Sequence, residues 1–191
     1  MAEGKKSARR RKAWIVFSDE SGISLLPSVR ATWAPRGKTP VLRHRFNWKR
    51  ASMASALCYR ADGTRAELCF EVRGGTYNDE ALIEFLDKLH DHLGGEKVTL
   101  LWDGLPSHRS RRMQAFLGSQ RRWLLAERLP AYAPDLNPAE YLWGNLKTNE
   151  LANLCAETLE EPIEAAHVGA ERVRSDGRLL FGFLAAAGLS L

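Results

Sequence analysis

Cysteine is scarce, with only Cys58, Cys69 and Cys155 among 191 residues. Three scattered thiols cannot build a disulfide framework or a zinc knuckle, so a reducing, cytoplasmic compartment is expected. Long apolar runs are also missing. The longest, Ala13–Phe17 and Val98–Trp102, fall far short of the ~18 residues that span a bilayer, so no membrane association is expected. The opening Met-Ala-Glu-Gly-Lys-Lys-Ser has no apolar stretch behind it and does not read as a secretory signal. Acids are absent from two long stretches, Ser21–Ala61 and Gly104–Ala126. No repeat of 20–50 residues is visible. Apolar residues at 45% and charged residues at 27% exclude disorder and fibrous repeats, and the length suits one ordinary domain.

The bases are as localised as the acids. Residues 1–12 carry Lys5, Lys6, Arg9, Arg10, Arg11 and Lys12 against Glu3, which accounts for the whole net charge of +5. They read as a basic flexible arm or linker remnant, followed by one domain over 13–191 with C-terminal helices from about 157. The first acid-free stretch holds Arg30, Arg36, Lys38, Arg43, Arg45, Lys49, Arg50 and Arg60, and the second Arg109, Arg111, Arg112, Arg121 and Arg122. Such segregation gives one cationic face, which a phosphate backbone requires.

Ala13–Phe17 and Val98–Trp102 have the length and apolar content of strands buried on both faces, central and adjacent in a sheet. The first is expected to stop at Ser18–Gly22, with a second strand over 23–35. Ala51–Tyr59 and Arg65–Val72 flank an Asp62-Gly63 pair, a hairpin signal. Asn78 caps an apolar stripe of Leu82, Ile83, Phe85, Leu86 and Leu89, and Gly94-Gly95 ends it. A basic helix over Ser107–Leu117, a strand over Arg122–Leu129, a proline-rich turn over Pro130–Pro138 and helices from Asn137 to about Asn153, Thr158 to about Arg174 and Leu179 to Leu191 complete the reading. The fold class is α/β: a mixed five-stranded sheet, three antiparallel strands then parallel strands, with helices on both faces.

Asp19 and Asp103 each follow a buried strand, at the edge where open sheets place their sites. If those strands pair in parallel, ~4.8 Å apart, two carboxylates share one cleft and call for a cation between them. Oxygen-only donors suit Mg²⁺ or Mn²⁺. A third acid, Glu140, lies in the first turn of the helix that Asn137 caps and Pro138 opens, with Pro130, Pro134 and Pro138 fixing the entry. A capping box explains Glu140 equally well.

Asp19-Glu20-Ser21, Trp102-Asp103-Gly104-Leu-Pro-Ser-His108 and Pro130-Ala-Tyr-Ala-Pro-Asp-Leu-Asn-Pro-Ala-Glu140 resemble the three signature blocks of DDE-type transposases of the mariner-like insertion-sequence superfamily. Asp103 and Glu140 are separated by 36 residues, near that group's spacing, and Trp33–Pro40 resembles the stretch after its first block. The resemblance runs from about Ala13 to Leu151. It implies an RNase H-like fold, with Asp19, Asp103 and Glu140 as catalytic and metal-binding triad. It also implies two Mg²⁺ or Mn²⁺ ions for DNA cleavage and strand transfer, and double-stranded DNA, as element ends and target, for partner.

A homodimer on DNA follows from the same resemblance. So does a separately encoded helix-turn-helix half, because such a domain does not fit ahead of residue 13, and a nucleoid-associated cytoplasmic location. The usual Asn after the second Asp is Gly104 here.

Beside the triad, His108 either contacts a phosphate, steadies a metal ligand or caps the basic helix. Arg109, Arg111 and Arg112 grip DNA or form a solvated face, and Lys147 touches DNA or stays in water. The run Arg43-His-Arg45-Phe-Asn-Trp48-Lys49-Arg50 interleaves bases and aromatics and can lie against DNA. Trp33, Trp102, Trp123 and Trp143 are assigned to packing. Two alternatives remain open: an RNase H-like nuclease acting on a hybrid or junction, and a remnant that binds DNA without catalysis.

Overall fold

A computed structural model describes residues 8–44, 49–130 and 134–191. Five strands form one sheet: β1 (Trp14–Ser24), β2 (Arg50–Arg60), β3 (Ala66–Gly74), β4 (Val98–Trp102) and β5 (Leu124–Arg128), in spatial order β3-β2-β1-β4-β5. The β1–β2 and β2–β3 pairs are antiparallel, whereas β4 joins β1 and β5 in parallel. The apolar runs in β1 and β4 are thus central neighbours, as their composition requires. The β2–β3 turn has Gly63 at φ 75°, a conformation that costs glycine little.

Alternation along β1 sorts the core into two layers. Trp14 and Val16 face α1 (Asp79–His92) and α2 (Arg111–Ser119), against Leu82, Phe85, Leu86, Leu89 and Met113. Ile15 and Phe17 face α3 (Pro138–Thr148), α4 (Glu160–Ser175) and α5 (Gly177–Ala186), against Leu142, Trp143, Ala166 and Phe183. Each large side chain so buried contributes ~1.5–3 kcal/mol. The Tyr59 hydroxyl donates to the Leu180 carbonyl at 2.8 Å and fastens α5 to the sheet. Among the described residues no helix is long and apolar enough to cross a membrane.

Several boundaries differ from the sequence reading. β1 does not stop at Ser18. It continues to Ser24 because β2 offers eleven residues of antiparallel ladder, which overrides the polar character of Ser18–Ser21. The strand expected over 23–35 is absent. Past Ser24 the chain makes one isolated bridge, Ser28 to Ala152, and is held by Asn153, whose side chain bonds both backbone groups of Arg30. The basic helix is divided. A 3-10 turn spans Ser107–Arg109, then Ser110 caps α2 by accepting from the Met113 amide. Residues 8–11, within the expected arm, form a helical turn with Ala8 buried and Arg9 bonded to the Ala61 carbonyl.

Candidate active site

The parallel β1–β4 pairing leads to two of the acids. The ladder ends with Phe17 paired to Leu101, and Asp19 and Asp103 each follow two residues later in the chain. Asp19 alternates with Phe17 onto the face that α3 covers, whereas the Asp103 carboxylate turns to His108, which stacks on Trp102 of the other core layer. Asp19 lies inside β1, paired with Ser55 of β2, while β4 has ended one residue before Asp103. The pair occupies the carboxyl end of the parallel strands.

Asp19 is buried at 8% exposure. Its Oδ1 accepts the Glu20 amide at 2.9 Å, and its Oδ2 accepts Asn137 Nδ2 and Trp143 Nε1, each at 3.1 Å. Burial is the chief reason its carboxyl is pushed up to about 7. The Trp143 bond works against burial, and the charges of Glu20 and Glu140 add to it. Asn137 has two roles: its Oδ1 caps α3 at the Ala139 amide while its Nδ2 holds Asp19. Glu140, three residues into the capped turn, is exposed and within electrostatic reach of Asp19.

Asp103 is held differently. Its side chain is 44% exposed, and its Oδ1 accepts the Leu105 amide at 3.0 Å and lies 2.9 Å from His108 Nδ1. The other ring nitrogen of His108 lies 3.4 Å from Glu20 Oε1. The imidazole stacks on Trp102, with centroids 4.1 Å apart and planes at 5°. Burial by itself would lower the His108 pKa, but hydrogen bonds to Asp103 and Glu20 outweigh it and lift it to about 9. Burial pushes the Asp103 carboxyl up, yet the His108 bond, the Leu105 amide and the His108 charge together hold it below its ordinary value. A charged His108 thus bridges two acids.

The three carboxylates do not ring one point. Asp19 turns to Asn137 and Trp143, Asp103 to His108, and among the described residues no three His, Cys, Asp or Glu side chains are gathered for one ion. The donor chemistry nevertheless fits a hard divalent cation. It consists of carboxylate oxygens only, around a buried acid that neighbouring negative charge already destabilises. Asp103, half exposed, reaches other directions by a change of staggered rotamer.

The residues expected at DNA divide into groups. His108 is buried at 2%, with its Nδ1 2.9 Å from Asp103 Oδ1. Arg109 and Arg111 are exposed beside it. Arg112 is exposed too, with Glu80 at 3.2 Å. Lys147 does not simply trail in water, because its Nζ donates to Ser21 Oγ at 2.7 Å. Arg43, Lys49 and Arg50 are exposed, and Arg45 and Trp48 lie outside the described residues. Trp33, assigned to packing, is fully exposed in the segment after β1. Sequence reading missed the bonds from Asn137 and Trp143 to Asp19 and the place of Glu20. One signal was available: a buried tryptophan needs a partner for its N–H, and Trp143 sits one turn after Glu140.

Comparison with known proteins gives a consistent set. The family model described as DDE superfamily endonuclease matches residues 14–161. A search of curated proteins finds no match. Among solved structures, a paired-end complex of Mos1 transposase with a left transposon end matches with TM-score 0.62 and 20% identity, over 96% of this chain and 55% of that one. A mariner Mos1 paired-end complex with Mg matches with TM-score 0.63 and 19% identity, over 97% and 58%. The Mos1 transposase catalytic domain with raltegravir and Mn matches with TM-score 0.52 and 18% identity, over 100% and 92%. The chain spans about half the length of the Mos1 chains in the paired-end complexes. At these identities the likeness is one of fold, and that fold is RNase H-like.

Proposed function

The chain belongs to the DDE superfamily endonucleases, and from that membership we propose that it is the catalytic domain of a DNA transposase, with Asp19, Asp103 and Glu140 as its metal-binding triad. The observation that supports this reading is the parallel β1–β4 pairing, with Asp19 and Asp103 each two residues past the Phe17–Leu101 pair and Glu140 within electrostatic reach of Asp19 in the first turn of α3. The two metal-bearing Mos1 structures support divalent ions here as well, and we assign two of them, Mg²⁺ or Mn²⁺. Bound ions would polarise a scissile phosphate and make a water, and later a 3′-hydroxyl, nucleophilic.

The chain's own residues prepare that chemistry. Asn137 and Trp143 fix Asp19 from the core side. His108, braced by Glu20 and stacked on Trp102, keeps Asp103 ionised. Glu140 stays solvent-accessible in the first turn of α3. Exposed Arg109 and Arg111 supply positive charge for phosphate oxygens beside the site. Because the chemistry is phosphoryl transfer, positioning and charge stabilisation suffice and no covalent enzyme intermediate is required.

The substrate we assign is double-stranded DNA, as element ends and as target. Recognition of the ends falls to a separate helix-turn-helix half, and two copies act together on DNA. Nicking of supercoiled plasmid in Mg²⁺ or Mn²⁺ tests the reading. Asp103→Asn should abolish nicking while leaving duplex binding by fluorescence anisotropy within about twofold, since it removes a metal ligand and no phosphate contact. Unchanged nicking by the variant rejects the triad.

A further inference from the structure

A cleft of about 520 Å³ lies outside the candidate active site, lined in part by Arg11, Arg121, Leu117, Gly118, Leu125 and Ala126. Arg11 precedes β1 and Leu125 lies near the start of β5, so the cleft opens toward the end of the parallel strands opposite Asp103. One wall is α2 and another is the outer edge of β5, with which nothing pairs among the described residues.

The ladder shows which backbone groups are free. The Val98 amide donates to the Trp123 carbonyl, and the Leu129 amide to the Trp102 carbonyl. Alternation then turns residues 123, 125, 127 and 129 toward β4 and leaves the N–H and C=O of Ala126 pointing outward. A free edge carrying unpaired backbone groups is a template for a further strand.

We propose that this cleft docks an extended acidic peptide, added as a strand alongside β5. Three observations select that occupant. Positive charge is the first. Arg11 and Arg121 line the cleft, no acid does, and one guanidinium nitrogen of Arg11 is buried without a hydrogen-bond partner among the described residues. A carboxylate would satisfy it. The second is the apolar floor of Leu117 and Leu125, the latter 38% exposed, which suits alternate aliphatic side chains of a strand. The third is the absence of aromatic lining. Single-stranded nucleic acid is held by stacking on aromatic rings, and a duplex is too broad to enter between a helix and a sheet edge.

The test needs neither metal nor DNA cleavage, so its failure leaves the endonuclease reading untouched. A fluorescein-labelled peptide alternating Glu with Val is titrated with the full chain at physiological salt and followed by anisotropy. Gly118 has open space where a side chain would start, so Gly118→Leu fills the cleft without straining the fold, and circular dichroism confirms folding. Binding by the wild type is expected. Arg121→Glu and Gly118→Leu should each weaken it at least about tenfold, the first by removing a charge-assisted hydrogen bond and the second by filling the space. A peptide with Lys in place of Glu should not bind. No binding by the wild type, or equal binding by both folded variants, overturns the proposal. So does a single-stranded oligonucleotide that binds and loses affinity in the same two variants, which would give the cleft to nucleic acid.

Discussion

Replacing Trp143 with Phe keeps an aromatic ring in the core but removes the N–H that Asp19 accepts at 3.1 Å. Asp19 is buried and faces the charges of Glu20 and Glu140, so a missing donor is not replaced by water. Trp143→Phe should destabilise the fold by ~1–3 kcal/mol, read as a lowered Tm. A Tm unchanged from wild type would mean that the bond contributes nothing. At this scale the candidate acids could be named from the sequence because two follow apolar strand runs and the third sits in a proline-framed helix entry. Their supporting residues were not. Asn137 reads as a cap from its place before Pro138, and nothing local announces that its amide also reaches across to residue 19. Glu20 and His108 are 88 residues apart, and only the fold shows that they meet.

The elements around the site are held as closely as the side chains. α4 crosses α3 at Gly169, where an added Cβ would meet Leu146 Cδ2 at 2.5 Å and Glu150 Oε2 at 2.7 Å. Glu150 is the partner of Arg172 at 2.6 Å, and Arg172 also donates to Asn145 Oδ1. Gly169→Ala must therefore push the helices apart or break that network. It should cost ~1–3 kcal/mol, the range for overpacking, measurable by urea denaturation. No change in the midpoint would show that the crossing relaxes freely. The hairpin, α1 and the two central strands were readable because periodicity and turn chemistry are local signals. The extension of β1 to Ser24 was not, since its cause is the partner strand β2. The absent strand over 23–35 is the converse: β1 is already flanked by β2 and β4, and past Ser24 the chain pairs with residue 152 after α3 rather than with the sheet.

Across the whole molecule, one exposed basic cluster lies at the Asp103 end of the sheet. Arg109 and Arg111 are exposed next to Asp103 in a stretch without acids, and the proposed function sets them against the DNA backbone. In a double Arg109→Ala, Arg111→Ala variant the slope of log K for duplex binding against log salt should become shallower by about two, ~0.9 for each phosphate no longer neutralised. An unchanged slope places DNA elsewhere. The overall architecture was legible because strand order follows from which segments are apolar on both faces. The gathering of the site was only half legible. Register and helix entry bring Asp19 and Asp103 to the same end of the parallel strands and Glu140 within electrostatic reach of Asp19, yet Asp103 is turned to His108 and Asp19 to Trp143. Crystals of the chain grown in millimolar Mn²⁺, with anomalous diffraction recorded at the manganese edge, test this account most directly. Anomalous density bound by carboxylate oxygens of Asp19, Asp103 and Glu140 together is the predicted result. Ions bound elsewhere, or density that excludes any one of the three, would contradict it.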